Sequence, residues 1–410
     1  MFRRLEVLLK GWFVAPSSGI HLDVADGLRG LAILLVVCAH GFYFNPDGPR
    51  LLAIIGSFLS TGWVGVPIFF VLSGFLISLP FFRSRLNGAE FVYPRGYATR
   101  RILKIIPPFY LVIAILALFY FFRYRDNSYF RIGAAWATGI AHFKYIPQYF
   151  NTSFWSLWVE VGFYVLLPIL FFAIRRASIR VAGWTIFSIL LILPFVSRSL
   201  TWPYGADAGE LAFVMRRFPS SLSNFGWGVL FSAIYVSISR QPDKRRFARF
   251  GYAGMALLGL SCGLFAAMVL KSPPGSAPGR LQVELSSLLP GVSAFLLLFF
   301  AFDPSCSGAR LFCSGKLRFL GIVSYEWFLL HQPVQMQVRE LAVNSHGNLL
   351  RYLLVVVTPS LLTLALAALI YHRFSLPILR FGRAKLKNDR SVRPIVEETF
   401  GRAADTAGHP

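Results

Sequence analysis

The sequence predicts an all-α fold: a polytopic membrane helical bundle with about ten transmembrane helices and both termini in the cytoplasm. Hydrophobic residues make up 56% of the 410 and charged residues only 14%, against about 25% charged in soluble proteins. The mean hydropathy is +0.59. The apolar residues are gathered into long runs, and a helix needs about 20 of them to cross a bilayer. These values exclude an ordinary soluble enzyme, a disordered chain and a small disulfide scaffold.

Ten apolar runs are long enough, or nearly so, to cross the membrane, and a weaker stretch at 131–146 decides between ten spans and eleven. The positions of Lys and Arg separate the two topologies, because basic residues collect in cytoplasmic loops. With ten spans, 29 of the 41 Lys and Arg residues lie on the cytoplasmic side, and with eleven spans only 18 of them do. We therefore expect ten spans, with 131–146 a re-entrant or interfacial segment on the outer side. The predicted spans are about 28–46, 62–82, 102–122, 154–174, 181–198, 219–238, 251–270, 283–302, 318–338 and 350–372.

The chain divides into a membrane domain, 1–372, and a short basic cytoplasmic tail, 373–410. Residues 1–18 carry Glu6 and Lys10 within an apolar stretch, which is typical of an interfacial helix and not of a cleaved signal peptide. The net charge of +23 would suit a nucleic-acid partner, but basic cytoplasmic loops explain it better in a chain this apolar. We expect the bilayer as a partner and no nucleic acid. The four cysteines include no CxxC pair, so no metal site is predicted.

Ionisable side chains inside predicted spans are the first candidates for a functional site, because they are costly there. In the first span Arg29 and His40 are eleven residues apart, about 20° beyond three turns, so they share one face. A snorkelling arginine and a histidine bonded to a neighbouring helix would give the same pattern. In the span 154–174, Glu160 lies in the outer leaflet with Tyr164 on the same face. Glu160 needs a partner from another helix, and His40 is the expected one.

Further polar residues allow two interpretations each. Arg101 and Lys104, beside Arg100 at the inner end of the third span, are either topology anchors or a docking point for a polyphosphate. Ser324 and His331, seven residues apart, predict either a site or a polar seam between helices. The small residues of the second span are interpreted as packing positions. They are Gly62, Gly65, Ser73 and Gly74.

Five motifs resemble the integral-membrane acyltransferase-3 family, whose members O-acylate cell-surface polysaccharides, lipid-linked sugars and some secondary metabolites. They occur in the family's order and cover about 22–375. The Arg-x10-His pair combined with the WSL-x-x-E-x-x-FY signature is specific, whereas either alone is weak. The motifs are DGLRGLAILLVVCAH, GVPIFFVLSGFLIS, RRILKIIPPFYL, FWSLWVEVGFYVLLP and SYEWFLLHQPV.

The resemblance implies that His40 is the catalytic histidine and that Arg29 is its matched partner. It also implies that Arg101 and Lys104 contribute to binding acyl-CoA, the expected donor substrate. Lys104 departs from the family, which usually has Arg there, and a lysine loses the bidentate geometry of a guanidinium. Phe328 stands where the family often has Tyr. The implied reaction moves an acyl group, with acetyl expected, to a hydroxyl of a cell-envelope or exported glycan at the bacterial inner membrane.

The chemistry of the residues fits this reaction. Arg29 and the third-span cations would dock the donor's phosphates, and a neutral His40 would act as general base. Glu160 would stabilise the imidazolium or hold acceptor hydroxyls, and direct transfer and an acyl-enzyme both stay open. The residues expected to bind substrate are Trp155, Trp158, Tyr164, Ser324 and His331.

Two other classes of function remain open from the sequence. One is a transporter or flippase for a lipid-linked or small polar substrate, in which His40 and Glu160 form a proton relay. The other is a structural partner of an envelope-assembly complex. The sequence does not identify the acceptor, the length of the acyl group or the oligomeric state.

Overall fold

The structure is a computed structural model that describes residues 22–41, 50–88, 90–94, 96–143, 150–202, 211, 216–271, 280–338 and 349–388. All regular structure in these ranges is helical, which confirms the predicted all-α class. Eight helices are long and apolar enough to cross a membrane, so the polytopic membrane fold is confirmed too. The predicted interfacial helix at 1–18 lies outside the described residues, and the cytoplasmic placement of the termini stays a prediction.

Sixteen α-helices make up the described bundle, joined in places by short 3-10 turns. The second apolar run forms a nearly continuous rod, because a 3-10 turn at Thr61–Val64 joins α2 to α3. The helices are α1 (Asp23–Gly41), α2 (Arg50–Ser60), α3 (Gly65–Asn87), α4 (Tyr97–Tyr124), α5 (Ser128–Ala137), α6 (Ile140–Phe143), α7 (Trp155–Ala173), α8 (Ile179–Leu200), α9 (Ser223–Ile238), α10 (Phe250–Lys271), α11 (Arg280–Leu297), α12 (Ser307–Phe312), α13 (Gly315–Ile322), α14 (Ser324–Gln337), α15 (Leu349–Ile370) and α16 (Leu376–Asn388).

The predicted span 318–338 is not one helix. It breaks at Val323 into α13 and α14, and the Ser324 hydroxyl donates to the Gly321 carbonyl across the break at 2.8 Å. Beside the break, α13 lies in close contact with α1: a Cβ at Gly321 would lie 1.9 Å from the Asp26 carbonyl oxygen. This contact holds α13 against α1, and α14 continues in a new direction. Irregular backbone at membrane depth is tolerated only where protein or a cavity surrounds it.

Two further segments are shorter than a full span. The helix α9 has 16 residues and begins at Ser223, so the first part of the predicted span 219–238 is not helical. The stretch 131–146 contains the end of α5 and the four-residue α6, separated by a turn in which Gly139 has a φ of +80°. Neither helix reaches the roughly 20 residues that a crossing needs, as expected for a re-entrant or interfacial segment.

The predicted boundary at 372 falls inside a helical rod. A π-helical turn at Tyr371–Ser375 joins α15 to α16, which reaches Asn388. A Cβ at Gly382 would lie 2.2 Å from the Leu103 side chain, so α16 packs closely on α4. The first part of the predicted tail is therefore helical, and its remainder lies outside the described residues.

The small residues of the second span allow close helix packing, as predicted. A Cβ at Gly74 would lie 2.2 Å from the Phe225 carbonyl oxygen of α9, and one at Gly65 would lie 2.2 Å from the Ala32 carbonyl oxygen of α1. Ser73 differs from its neighbours, because its hydroxyl serves the site described next.

Candidate functional site

The end of α1 that is predicted to face outward carries His40, and its ring meets a second histidine, from α14. The Nδ1 of His40 lies 2.9 Å from the Val36 carbonyl oxygen and 3.3 Å from Nε2 of His331. The Nδ1 of His331 lies 2.9 Å from the Phe328 carbonyl oxygen. The two rings meet edge to face with centroids 5.0 Å apart. His40 and His331 are therefore direct partners although they are 291 residues apart.

The carbonyl contacts assign the ring protons. A carbonyl oxygen only accepts, so the Nδ1 of each neutral ring carries the hydrogen that faces it. The Nε2 of His331 then has a lone pair and accepts a share of the His40 Nδ1–H. This arrangement leaves the lone pair of His40 on Nε2, the atom from which it would act as a base. His331 thus holds the tautomer and the orientation of His40, as a third group does in a catalytic triad.

A polar network holds α14 in register around His331, whose side chain is fully buried at 0% exposure. The Gln332 amide donates to Thr152 Oγ1 at 2.6 Å and accepts from Ser153 N and Oγ, each at 2.9 Å. The Gln335 amide donates to the Val37 carbonyl of α1 at 3.1 Å. These contacts connect α14 to α1 and to the start of α7, so the position of the histidine pair is set by three helices.

A cavity opens between α1, α3, α4, α7 and α14, toward the predicted cytoplasmic side of the histidine pair. Its cavity volume is about 70 Å³, and about 610 Å³ when the open space at its mouth is counted. Six of its fourteen lining residues are apolar, and the other eight carry a polar group. The polar lining residues are Arg29, Ser73, Lys104, Ser156, Glu160, Tyr164, Ser324 and Tyr325.

Phe328 adjoins both this cavity and the histidine pair. Its ring lines the cavity together with Phe69, and the two ring centroids lie 6.2 Å apart. The Phe328 ring also contacts His331, with centroids 5.7 Å apart. Neither His40 nor His331 is part of the cavity wall. We call Phe69 and Phe328 the aromatic partition.

Glu160 faces the cavity and not the histidines. Its Oε1 accepts from Ser73 Oγ at 2.7 Å and from the Tyr164 hydroxyl at 2.5 Å. No hydrogen bond or ion pair joins it to His40 among the described residues. The expected pairing with His40 is therefore wrong for this geometry, because α7 turns Glu160 toward α3 and α4. In the sequence, Ser73 could have been recognised as a functional residue by its hydroxyl group, which stands among the small residues of the second span. Ser73 was instead interpreted as a packing position.

The cations of the inner side lie around the same cavity. Arg29 forms an ion pair with Asp26 at 3.5 Å. The Arg101 guanidinium lies 5.7 Å from the centre of the Tyr164 ring, and its Nε is buried without a hydrogen-bond partner among the described residues. Lys104 lines the cavity. Neither Arg101 nor Lys104 forms an ion pair with a described residue, so positive charge is left available for an anion.

Glu326 is a buried carboxylate that the sequence analysis does not select. Its side chain is 3% exposed, and its Oε2 has no hydrogen-bond partner among the described residues. Its charge acts on Lys104, as does that of Glu160. In the sequence, Glu326 could have been recognised because it is an acidic residue inside an apolar span, two positions after Ser324.

The two outer tryptophans differ in what they contact. The Trp158 indole donates to the Trp136 carbonyl at 3.0 Å and packs on Gly139, so it holds the turn between α5 and α6. The Trp155 ring meets Phe70 edge to face, with centroids 5.9 Å apart. Its other contact is the Arg216 guanidinium, 5.8 Å from the ring centre.

The segment 216–222 before α9 reaches into the bundle from the outer side. The Phe218 amide donates to Nε2 of His142 at 2.9 Å, and a Cβ at Gly162 would lie 2.7 Å from the Phe218 ring. Burial, and then the nearby charge of Arg217, lowers the pKa of His142 to about 4, so its ring is neutral and able to accept. Adjacent arginines on the outer side run against the usual charge pattern, and this was the signal that could have identified the segment.

The structure brings most of the predicted site residues together in two places. His40 and His331 form the outer pair, and Arg101 lies beside the inner cavity. Trp155 and Trp158 lie in the outer part of the bundle. The cavity wall contains Arg29, Lys104, Glu160, Tyr164 and Ser324.

A comparison with protein families agrees with this arrangement. The acyltransferase-3 family, described as an acyltransferase domain, matches residues 23–372, which include every helix that lines the cavity. The chain belongs to the acyltransferase-3 family. The resemblance predicted from the five motifs is therefore confirmed.

Curated relatives of this acyltransferase-3 chain include proteins named for peptidoglycan. YrhL of Bacillus subtilis, by its name a candidate peptidoglycan O-acetyltransferase, is 26% identical over 88% of this chain and 55% of its own length. The O-acetyltransferase OatA of Staphylococcus aureus is 23% identical over 93% of the chain and 60% of its length. The peptidoglycan O-acetyltransferase OatA of Listeria monocytogenes is 23% identical over 88% and 56%. The chain thus spans little more than half the length of these relatives. No solved structure matches it.

Proposed function

We propose that this protein is an O-acyltransferase of the bacterial inner membrane that moves an acyl group, acetyl by expectation, from cytoplasmic acyl-CoA to a hydroxyl of a cell-envelope glycan. The observation that carries the proposal is the His40–His331 pair. It presents the lone pair of His40 Nε2, next to a cavity where the charges of Arg101 and Lys104 are not neutralised by an ion pair with a described residue. The cations next to the cavity would bind the donor on the inner side, and the base at His40 would act on the acceptor on the outer side. This arrangement suits transfer of an acyl group between them.

The donor is proposed to enter at the inner mouth. Acyl-CoA carries several phosphates, which cations at a partly buried site bind strongly because charge-assisted hydrogen bonds are worth more than neutral ones. Arg101 offers the planar fork that matches a phosphate, whereas Lys104 offers a point charge. Arg29 would contribute the third cation. The pantetheine arm would then follow the cavity toward the aromatic partition.

The transfer step is proposed to take place at His40. Its Nε2 takes the proton of the acceptor hydroxyl while the oxygen attacks the thioester carbonyl. The carbon–sulfur bond breaks, the thiolate of CoA receives the proton from the imidazolium, and an ester forms. His331 stabilises the imidazolium by accepting from its Nδ1–H. An acyl-enzyme would need the same base and remains the alternative route.

Glu160 is proposed to act on the donor side. With Ser73 and Tyr164 it forms a hydrogen-bonded group in the cavity wall, and its charge acts on Lys104. It would position Lys104 and line the path of the donor arm. The transporter alternative needs a relay between His40 and Glu160, and these two side chains have separate partners in the described residues.

The test uses purified protein in vesicles with labelled acetyl-CoA and an envelope glycan. His40→Ala should lower acyl transfer at least about 100-fold, since general-base catalysis contributes that much or more. The matched control is His409→Ala, a histidine outside the membrane domain. Transfer by His40→Ala at the wild-type rate would exclude His40 as the base. Substrate flux through wild-type vesicles without any acyl donor would favour the transporter.

A further inference from the structure

We propose that Arg216 binds an anionic group of the acceptor on the outer side of His40, so that this protein selects negatively charged glycans. The inference rests on the proposed function and names the class of its acceptor. It starts from the outer segment 216–222, which neither the motifs nor the comparisons assign to any role.

The outer segment is held rigidly from two directions. On one side the Phe218 amide donates to His142 at 2.9 Å. On the other side Arg198 Nη1 donates to the Ser220 carbonyl at 2.5 Å. The Arg198 side chain is itself 5% exposed and forms a two-pronged ion pair with Glu284, at 3.0 and 2.5 Å. A buried bidentate pair that also holds a loop carbonyl fixes the loop precisely enough to position the side chain at its start.

Gly162 lets this segment reach the depth of the site. The Phe218 ring occupies the space beside α7 where any larger residue at 162 would have its Cβ, 2.7 Å away. Two residues earlier along the chain, Arg216 lies over the ring of Trp155, with 5.8 Å from the guanidinium carbon to the ring centre. A cation over a tryptophan face is attracted by the ring, so the guanidinium is held in place before a ligand arrives.

The Arg216 charge is available, and it is within electrostatic reach of the base. Its side chain is exposed, and it forms no ion pair or hydrogen bond with a described residue. Its charge acts on the His40 ring. An anion bound to this guanidinium would therefore lie within electrostatic reach of His40, and a bidentate contact would fix its orientation.

The position of Arg216 separates it from the donor's phosphates. Those are expected at Arg101 and Lys104, on the inner side of the aromatic partition, whereas Arg216 belongs to the loop between α8 and α9 on the outer side. An anion that reaches Arg216 therefore arrives with the acceptor. Either a sugar carboxylate or the phosphate of a lipid carrier has the required chemistry.

The experiment compares three acceptors with wild-type protein, Arg216→Gln and Arg216→Lys. The acceptors are a carboxylate-bearing glycan, its neutral methyl ester, and a neutral glycan linked to a polyprenyl diphosphate. The matched control is Arg280→Gln, because Arg280 is another outer arginine over a tryptophan ring, at 5.8 Å from Trp202. The readouts are KM and kcat for each acceptor, with acetyl-CoA saturating.

We expect Arg216→Gln to raise KM for one anionic acceptor about tenfold to a hundredfold, the range for one hydrogen bond to a charged group. The KM for the neutral ester should change less than about twofold in Arg216→Gln. The KM of Arg216→Lys for the anionic acceptor should lie between those of wild type and Arg216→Gln. The anionic acceptor that responds identifies the carboxylate or the phosphate as the ligand. Arg280→Gln should match wild type.

If Arg216→Gln lowered kcat equally for all three acceptors, the inference would be overturned and Arg216 would have a structural role. Wild-type protein that uses the acid and its methyl ester equally, with no response of the diphosphate-linked glycan to Arg216→Gln, would overturn it as well. Both outcomes leave the proposed function standing, because acetyl transfer is still observed. Absence of transfer to every acceptor by wild-type protein would instead remove the proposed function and this inference together.

Discussion

The inner cavity and the outer histidine pair are built in opposite ways. In the pair, His331 is 0% exposed and bonded at both ring nitrogens, and the network around it reaches α1 and the turn before α7. The cavity is open, and positive charge at Arg101 and Lys104 lacks an ion pair with any described residue. A rigid base suits proton transfer, and an unneutralised cationic pocket suits an exchanging anionic ligand. In the proposed function, the polar residues of the bundle are therefore divided between two roles, proton transfer at the pair and donor binding at the cavity.

The largest effect should come from breaking the histidine pair. Changing His331→Ala removes the second acceptor of the His40 Nδ1–H and leaves only the Val36 carbonyl, so the His40 ring is held less firmly, and we expect kcat to fall about 100-fold. His331→Asn keeps an acceptor oxygen and should recover part of this loss. The measurement is kcat and KM for both substrates across pH.

A positioning role for His331 predicts an unchanged KM for acyl-CoA and a shifted pH profile of kcat. Loss of folded protein in both variants, judged by size-exclusion chromatography and thermal unfolding, would instead mean that α14 depends on His331 for its structure.

An effect confined to the donor should follow from a change in the inner cavity. Arg101→Ala should raise KM for acyl-CoA about tenfold or more and leave KM for the glycan unaltered, because a charge-assisted contact to phosphate is lost. The comparison variant is Arg123→Ala at the other end of α4, where the guanidinium also lies over a tyrosine ring, at 5.5 Å. The measurement is KM for both substrates at several salt concentrations. If both variants behaved alike, the donor would not dock at Arg101.

The smallest effect tests the outer segment. Gly162→Ala places a methyl group where the Phe218 ring lies, which should cost about 1–3 kcal/mol of stability and lower transfer a few-fold. Gly259→Ala is the control, because a Cβ at Gly259 meets nothing within 4 Å. Thermal unfolding in detergent and transfer rates measure the two effects. Equal melting temperatures for the two variants would show that the segment yields without cost.

Sequence patterns predicted what depends on local composition. Apolar runs located the helices, and their length alone set most boundaries to within a few residues. Because ionisable side chains are costly in a membrane, the sequence pointed to His40, Glu160 and Lys104. Glu160 and Lys104 line the cavity, and His40 belongs to the histidine pair.

Partners across the bundle were not predictable in the same way. His40 and Glu160 are each near the outer end of a helix by residue count, so similar depth suggested a pair. Depth along one helix does not determine which neighbour a side chain faces. That depends on close contacts such as Gly321 against α1, and on the break between α13 and α14 at Val323. Ser73 and Arg216 were missed for the same reason, since their roles come from contacts with other helices.

The aromatic partition has a consequence for the membrane itself. The proposed transfer between the two sides places polar groups through most of the bilayer, and a chain of such groups conducts protons unless it is interrupted. The ring of Phe328 adjoins both the cavity, with its carboxylate and lysine, and the imidazole of His331. The C–H groups of this ring do not ionise, so the ring passes no proton between them.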